Sequence, residues 1–441
     1  MCGIIGYIGK QQQAMEQALQ SLTHRGHDMQ ELIEGKEPIP YAIGHVLHAM
    51  VGHVKQPLVH NQYIFVGNIE LYNWKILAQH YSIDAQNDAQ VAFALLQTLG
   101  MRAINVFDGD FAFAFYDGTS WYLARDCFGV KPLWYGTNGK ELWFASEHHC
   151  FADMHLLDPT TYITYTNHVC SVTTWHTWQE QEVRQTQQDI VLHIESLFKQ
   201  AVAKRSAYDK PIGVLFSGGI DSVLVAYTLK LLGKQVILYS AGLPQSHDVQ
   251  AAMQAAKWLD MPLQIQYPKD DAFVIDALKK LKQMLGTSHY VALSVALPFY
   301  VALQQNTTRL VMSGLGSEEL FAGYQRHVQS ADINKECIAG LYALHTRDLY
   351  RDDVICMHAG AELRLPFLDK QLCQYALGID ANLKIVGEHK KYIIRKVAQH
   401  MGIPQDFAFR PKKAAQYGSG FDKLLEKLSG KMPKQEWVKS L

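Results

Sequence analysis

The stretch Val214-Leu215-Phe216-Ser217-Gly218-Gly219-Ile220-Asp221-Ser222 constrains this chain more than any other. Three apolar residues run into two glycines flanked by hydroxyl side chains. The helical pattern Val223-Leu224-Val225-Ala226-Tyr227 follows. That order predicts a buried strand, a tight loop and a helix start. Such a loop aims backbone N–H groups and the positive end of a helix at an anion. Gly218 and Gly219 let backbone approach phosphate closely, and Ser217 and Ser222 add hydroxyl donors. Asp221 is out of place beside phosphate oxygens unless a cation lies between them, which implies Mg2+. The Walker pattern is excluded, because it would end in Gly-Lys-Ser or Gly-Lys-Thr.

At 441 residues the chain has room for two or three domains. With 48% hydrophobic and 19% charged residues it reads as an ordinary globular protein. A net charge of −1 without a basic stripe predicts no nucleic-acid partner. The seven cysteines (Cys2, Cys127, Cys150, Cys170, Cys337, Cys356, Cys373) form no CxxC, which argues against a zinc site and a secreted disulfide framework. No charged leader precedes an apolar core, and no apolar run reaches about 18 residues. A cytoplasmic protein with no membrane partner is therefore expected.

Met1-Cys2-Gly3-Ile4-Ile5-Gly6-Tyr7-Ile8-Gly9 reads as a glycine-punctuated strand. Once Met1 is removed, Cys2 carries a free α-amine beside its thiol, and that amine can act as base for its own nucleophile. A small buried residue on a first strand is the plain alternative. Residues 10–35 read as a helix ending in the cluster Thr23-His24-Arg25-Gly26-His27-Asp28, and 83–99 as a helix with Asp88 near its start. Strands are expected at Tyr63–Val66, within Phe107–Asp117, at Trp121–Ala124 and at Leu142–Ser146. Their close spacing suggests stacked antiparallel sheets.

Residues 177–189 are polar and glutamine-rich and are placed as a linker. An amphipathic helix is expected at Ile190–Ser206. Strand, helix, strand and helix then alternate from Val214 to Trp258, the pattern of a doubly wound parallel sheet. Its ligands bind at the carboxyl ends of the strands. A further strand, Leu310-Val311-Met312, runs into Ser313-Gly314-Leu315-Gly316-Ser317-Glu318-Glu319. Glu318 is a candidate second magnesium ligand there, although paired acids opening a helix are common. Lys391 could neutralise leaving-group charge; alone it would read as a solvated helix lysine.

Together these motifs carry a resemblance. SGGxDS resembles the loop of enzymes that split ATP to AMP and pyrophosphate. MCGIxG, HRGxD, N-x-E-x-YN, FDGxFAFAxYD, RDxFGxKPL and FASE resemble the glutaminase domain of class II glutamine amidotransferases, over about residues 1–165. SGGxDS, SGxGSxE-x-F-x-GY, E-x-R-x-PFLD and K-x-x-x-R resemble the synthetase domain of asparagine synthetases, over about residues 195–420. The details are closest to the divergent asparagine synthetase domain-containing proteins.

The resemblance implies a two-domain α/β protein. Residues 1–178 would form an αββα sandwich of the Ntn type, 179–189 a linker, and 190–441 an ATP-pyrophosphatase domain with a doubly wound parallel sheet. Cys2 would attack the side-chain amide of glutamine. Asn68 and the next backbone N–H would form the oxyanion hole, and Glu70 and Asp88 would hold the substrate amine. Ser217, Gly218, Gly219, Asp221, Ser222, Gly314 and Lys391 would hold pyrophosphate. Leu215 and Gly242, at strand ends, would border adenosine. Asp221 and Glu318 would bind Mg2+, and Glu362 is a candidate base. A homodimer is common in the resembled family.

Three positions depart from the family pattern. Ile69 replaces the glycine after the oxyanion Asn, and a β-branched side chain is poor at positive φ. The stretch Gly44–Gly52 lacks the arginine that clamps glutamine's carboxylate, leaving His45, His48 or His53 as weak substitutes. Leu315 stands at the position of the family's catalytic Glu and can neither accept a proton nor orient an amine. Three readings follow: a glutamine-dependent ligase acting on aspartate; an ammonia-dependent ligase on another carboxylate with a vestigial first domain; and a non-catalytic nucleotide-binding protein.

Overall fold

The computed structural model describes residues 2–10, 15–36, 39–411 and 414–441. The chain divides into two compact units. One comprises the residues up to Thr177 together with Asp348–Asp353; the other comprises Trp178–Arg347 together with Val354–Leu441.

The first unit's described strands are β1 Gly3–Ile8, β2 Met29–Gly35, β3 Tyr41–Leu47, β4 Leu58–His60, β5 Tyr63–Leu71, β6 Gly109–Tyr116, β7 Trp121–Arg125, β8 Trp134–Thr137, β9 Leu142–Ala145, β10 His155–Leu156, β11 Thr161–Thr166 and β12 Val169–Thr174. Its described helices include α1 Met15–Gln20, α2 Trp74–His80 and α3 Asp88–Leu99. The strands make two six-stranded antiparallel sheets, ordered β10-β8-β9-β1-β3-β2 and β12-β11-β7-β6-β5-β4. Period-2 alternation sorts the side chains into layers. Ile4, Ile8 and Ile43 of one sheet share a buried cluster with Ile64, Val66, Ala112 and Ala114 of the other. The opposite faces carry Ile5 and Tyr7 against Met15 and Leu19 of α1, and Phe65, Phe111, Phe113 and Phe115 against Val91 and Leu95 of α3. Helix, sheet, sheet and helix therefore stack in the expected αββα order.

Several element boundaries differ from the expectation. Residues 10–35 are not one helix: the chain leaves α1 at Gln20, makes a short 3-10 turn at Thr23–Arg25 and enters β2 at Met29. Residues 11–14 of that span lie outside the described residues. β5 does not stop at Val66 but continues to Leu71, because residues 67–71 keep their register with β6. α3 starts at Asp88 rather than 83, where the Asn87 side chain caps it by accepting from the Gln90 N–H.

In the second unit, α4 Gln187–Arg205 leads into β13 Ile212–Leu215, α5 Ile220–Leu231, β14 Val236–Ala241, α6 His247–Leu259, β15 Leu263–Gln266, β16 Leu310–Met312 and β17 Glu362–Arg364. α4 opens inside the expected linker because Thr186 accepts from Asp189 N–H as its N-cap. The five strands form one parallel sheet in the order β15-β14-β13-β16-β17. The chain runs outward from β13 through β14 to β15, then returns to β13's other side for β16 and β17. The order thus reverses between β13 and β16, and in open parallel sheets the ligand crevice opens at that reversal. Among the described residues no single helix is long and apolar enough to cross a membrane.

Candidate active sites

Strand parity sets the first site. Cys2 lies one residue before β1, on the same side of the alternation as the inward-facing Ile4. Asn68 and Glu70 share the inward face of β5 with Ile64 and Val66. The Cys2 backbone nitrogen donates to Asn68 Oδ1 at 3.0 Å, and Cys2 and Asn68 are both buried. With Oδ1 taken, Asn68 Nδ2 points elsewhere, and it has no protein hydrogen-bond partner among the described residues. A buried amide donor without a partner is costly unless a ligand oxygen completes it.

The neighbouring N–H, of Ile69, is not used in the pairing of β5 with β6. Tyr72 N–H donates to the Asp108 carbonyl, so the even-numbered residues of β5 bond β6 and Ile69 N–H points away from it. β4 pairs β5 only as far as Phe65, and beyond it side chains take the edge N–H groups of Gly67 and Leu71, on either side of Ile69. Ile69 is extended strand rather than positive φ, which removes the steric objection to a β-branched residue there. Asp88 holds the end of β5 by accepting from Leu71 N–H at 3.0 Å through Oδ2, while Oδ1 accepts from Ala89 N–H at 2.9 Å.

Two residues missed in the sequence frame this site. Gln56 Oε1 accepts from Gly67 N–H at 2.8 Å, which fixes the amide's orientation. Its Nε2 therefore donates to the Gly67 carbonyl at 3.1 Å and to His45 Nε2 at 3.3 Å. As an acceptor, His45 is neutral, and burial pushes its pKa down to about 3. His45 thus supplies no positive charge for a carboxylate. Arg25 donates to the Cys2 carbonyl at 3.2 Å, to Glu147 at 2.8 Å and to Asp353 at 2.7 Å. Burial opposes the Arg25 charge, but Asp353 and Glu147 hold it protonated. Burial likewise works against the Glu147 carboxylate, but His24 and Arg25 hold it below the usual carboxylate range. A signal existed in HRGxD and FASE, but neither motif announces that the two meet.

The second site lies at the carboxyl ends of β13 and β16. Gly218 has φ +68°, and a Cβ there would come within 2.5 Å of the Ala251 backbone, so only glycine fits. Gly219 is the N-cap of α5 and brings no side-chain cap, leaving the helix's first N–H groups turned towards the loop. Ser217 Oγ accepts from Gly219 N–H at 3.3 Å, and Ser222 Oγ donates to the Gly219 carbonyl at 3.1 Å. The β16 loop packs onto this turn: a Cβ on Gly314 would sit 2.5 Å from Asp221 Cβ and 3.2 Å from Ser222 N. Leu215 ends β13 and is half-buried. Gly242 follows β14, where Leu243 N–H is held by the Ser419 carbonyl at 2.9 Å.

Lys391 is not a solvated helix lysine. It is buried, and its Nζ donates to Asp221 at 2.7 and 2.9 Å and to Glu318 at 3.0 Å. Ser317 Oγ adds a 2.6 Å bond to Asp221 Oδ1. The two carboxylates thus converge on one cation-sized point. An all-oxygen donor pair of this kind suits Mg2+, so the residues fit that ion.

Glu362 is placed differently. It opens β17 opposite Leu310, at the amino end of β16, whereas the Gly314 loop follows the carboxyl end. Its buried carboxylate accepts from Arg364 Nε at 2.5 Å. The ion pair with Arg364 and the place at the amino end of the strand set Glu362 apart from the Gly314 loop, which speaks against a role as base there. Arg410, missed in the sequence, reaches the Gly218 carbonyl at 3.4 Å and the His247 carbonyl at 2.9 Å.

Comparison with known proteins follows this division. A glutamine amidotransferase domain family matches residues 1–195, and an asparagine synthase family matches residues 193–337 and 328–435, more than half the chain. A Methanocaldococcus jannaschii protein bearing the name asparagine synthetase (glutamine-hydrolyzing) 1 is 28% identical over 98% of this chain and 96% of its own. Asparagine synthetase (glutamine-hydrolyzing) 2 of Arabidopsis thaliana is 27% identical over 96% of this chain and 79% of its own. Among solved structures, a glutamine phosphoribosylpyrophosphate amidotransferase from B. subtilis has TM-score 0.36 and 18% identity, covering 60% of this chain and 66% of that one. With the glycine loop of β13 and the paired motifs of both halves matched in order, the chain belongs to the asparagine synthase family, a family of ATP-using ligases.

Proposed function

We propose that this chain activates aspartate with ATP and transfers ammonia from glutamine to it, giving asparagine, AMP and pyrophosphate. A carboxylate is a poor electrophile; joining it to the adenylyl group of ATP creates a leaving group, with pyrophosphate released, before ammonia attacks. The observation that carries the reading is the convergence of Asp221, Glu318 and Lys391 within 3.0 Å beside the Gly218–Gly219 turn. Ser217, Ser222, the Gly314 backbone and the first N–H groups of α5 would hold the phosphates. Leu215 and Gly242 would border adenosine, and Lys391 would neutralise the departing pyrophosphate. Asp221 and Glu318 would hold Mg2+, which would supply charge neutralisation across the phosphates.

In the first unit, Cys2 would attack glutamine's amide carbon, its own α-amine taking the thiol proton. Asn68 Nδ2 and Ile69 N–H would receive the oxyanion. Glu70 and Asp88 would hold the substrate amine through lone pairs not used by the backbone. A second reading of the acceptor, ammonia-dependent ligation of another carboxylate, is favoured by Leu315, a half-buried apolar side chain in the β16 loop. Pyrophosphate release with ATP and Mg2+, measured across candidate acceptors with glutamine or ammonium as donor, tests both. Aspartate-dependent release supported by glutamine and abolished by Cys2→Ala sustains the first reading. Release with ammonium alone on another carboxylate sustains the second, and no release with any acceptor overturns both.

A further inference from the structure

Lys391 stands where a metal would be expected, and three observations show that it is held there. Its Nζ lies within 3.0 Å of three carboxylate oxygens, its side chain is almost entirely buried, and its backbone is left-handed at φ +55° just before helix Tyr392–His400. A lysine rarely adopts that backbone conformation. Asp221 is equally fixed, by Ser317 Oγ and by the Gly314 backbone against its Cβ. Four residues further along, Arg395 anchors the same helix by donating to the carbonyls of Lys390 at 2.8 Å and Ala408 at 2.7 Å. The ammonium therefore supplies positive charge between two prearranged carboxylates.

We infer that Lys391 is a built-in counter-ion that keeps divalent metal out of the Asp221–Glu318 pair until nucleotide phosphates arrive. Metal and nucleotide then bind as one coupled event. The inference rests on the reading of Asp221 and Glu318 as metal ligands. Metal arriving alone must displace the ammonium from three charge-assisted bonds. The displaced charge would stay buried, because the partners of Lys391 among the described residues are those same two carboxylates. A buried charge stripped of its partner is strongly unfavourable. A triphosphate in the Gly218–Gly219 turn removes that obstacle: the ammonium transfers to phosphate oxygens, and the carboxylates turn to the metal. Phosphate and metal thus favour each other's binding: the phosphates take over the ammonium, and the metal takes over the carboxylates.

The test is Mn2+ binding to the full-length protein, followed by electron paramagnetic resonance and calorimetry. It is done without nucleotide and with α,β-methylene-ATP, whose α–β bridge cannot be cleaved. The wild type is expected to bind Mn2+ on the order of 100-fold more tightly, or more, with the analogue than without it. Lys391→Met is expected to bind Mn2+ without nucleotide and to lose most of that enhancement. Mg2+ alone should raise the melting temperature of Lys391→Met and leave that of the wild type unmoved. Asp221→Asn should abolish binding in every case, which separates this site from adventitious surface carboxylates. Equal wild-type affinity with and without the analogue overturns the inference, and this comparison stands even if the variant fails to fold. Unchanged nucleotide-free affinity in a folded Lys391→Met overturns it too. If the wild type binds neither the analogue nor Mn2+ in its presence, the functional reading itself fails, and the inference with it.

Discussion

The Cys2 nitrogen and Asn68 Oδ1, 66 residues apart in sequence, meet at 3.0 Å. That bond orients the Asn68 amide and leaves its Nδ2 without a partner among the described residues, as the proposed oxyanion role requires. Asn68→Ala should lower glutaminase kcat about 100- to 1,000-fold, the usual loss for one oxyanion donor. KM for glutamine should change much less, and ammonium-supported synthesis should persist. Glutamate release and pyrophosphate release, measured on the same preparation, check the split.

His45 makes stability depend on pH. Its folded pKa of about 3 lies below the ordinary histidine value near 6.5, so the unfolded chain binds more protons between those limits. The stability of the neutral, buried form is complete above about pH 6.5 and is lost as pH falls towards 3. Between pH 6.5 and 5 the histidine should account for about 2 kcal/mol of lost stability. Urea denaturation of the wild type and His45→Gln at both pH values isolates this part, and the variant should show the shallower dependence.

Gly314→Ala would push a methyl group to 2.5 Å from Asp221 Cβ. Overpacking of this kind costs about 1–3 kcal/mol. The strain falls on the first turn of α5, so it should appear as roughly 5- to 150-fold weaker ATP binding. Calorimetric titration with ATP checks this, and glutamine hydrolysis by Cys2 should be unaffected.

Glu362→Gln should act on stability rather than on chemistry. It leaves the buried Arg364 guanidinium without its carboxylate, a change that costs about 3–5 kcal/mol where a buried pair is broken. The remaining folded protein should keep its pH–rate profile. Loss or displacement of the acidic limb in that profile would restore Glu362 as a general base.

The strand, glycine turn and helix around Ser217 were legible because each local signal agreed: apolar run, glycine pair, helical periodicity. Stacked antiparallel sheets were legible from the close strand spacing, but the full αββα order came from the resemblance, since β2 carries half-exposed residues on both faces and falls in a span that reads as helix. Lys391 was misread on its own because helical spacing cannot report burial. Nothing local distinguishes a lysine in water from one between Asp221 and Glu318. Glu362 and Arg364 are two residues apart on a three-residue strand, and period-2 spacing puts them on one face. That pairing was available in the sequence once β17 was recognised. Gln56, by contrast, gave no signal, because an isolated glutamine in a loop shows nothing of the backbone it will hold.

Asp353 belongs to the amino-terminal unit although it lies far beyond that unit's other residues in the chain. Its carboxylate takes half of the Arg25 fork, and Arg25 in turn touches the Cys2 carbonyl. A gene fragment cut after Thr177 would therefore encode every residue proposed for amide hydrolysis and still lack one anchor of the proposed nucleophile. Dissection of this protein calls for a graft of the 348–353 segment, not a single cut.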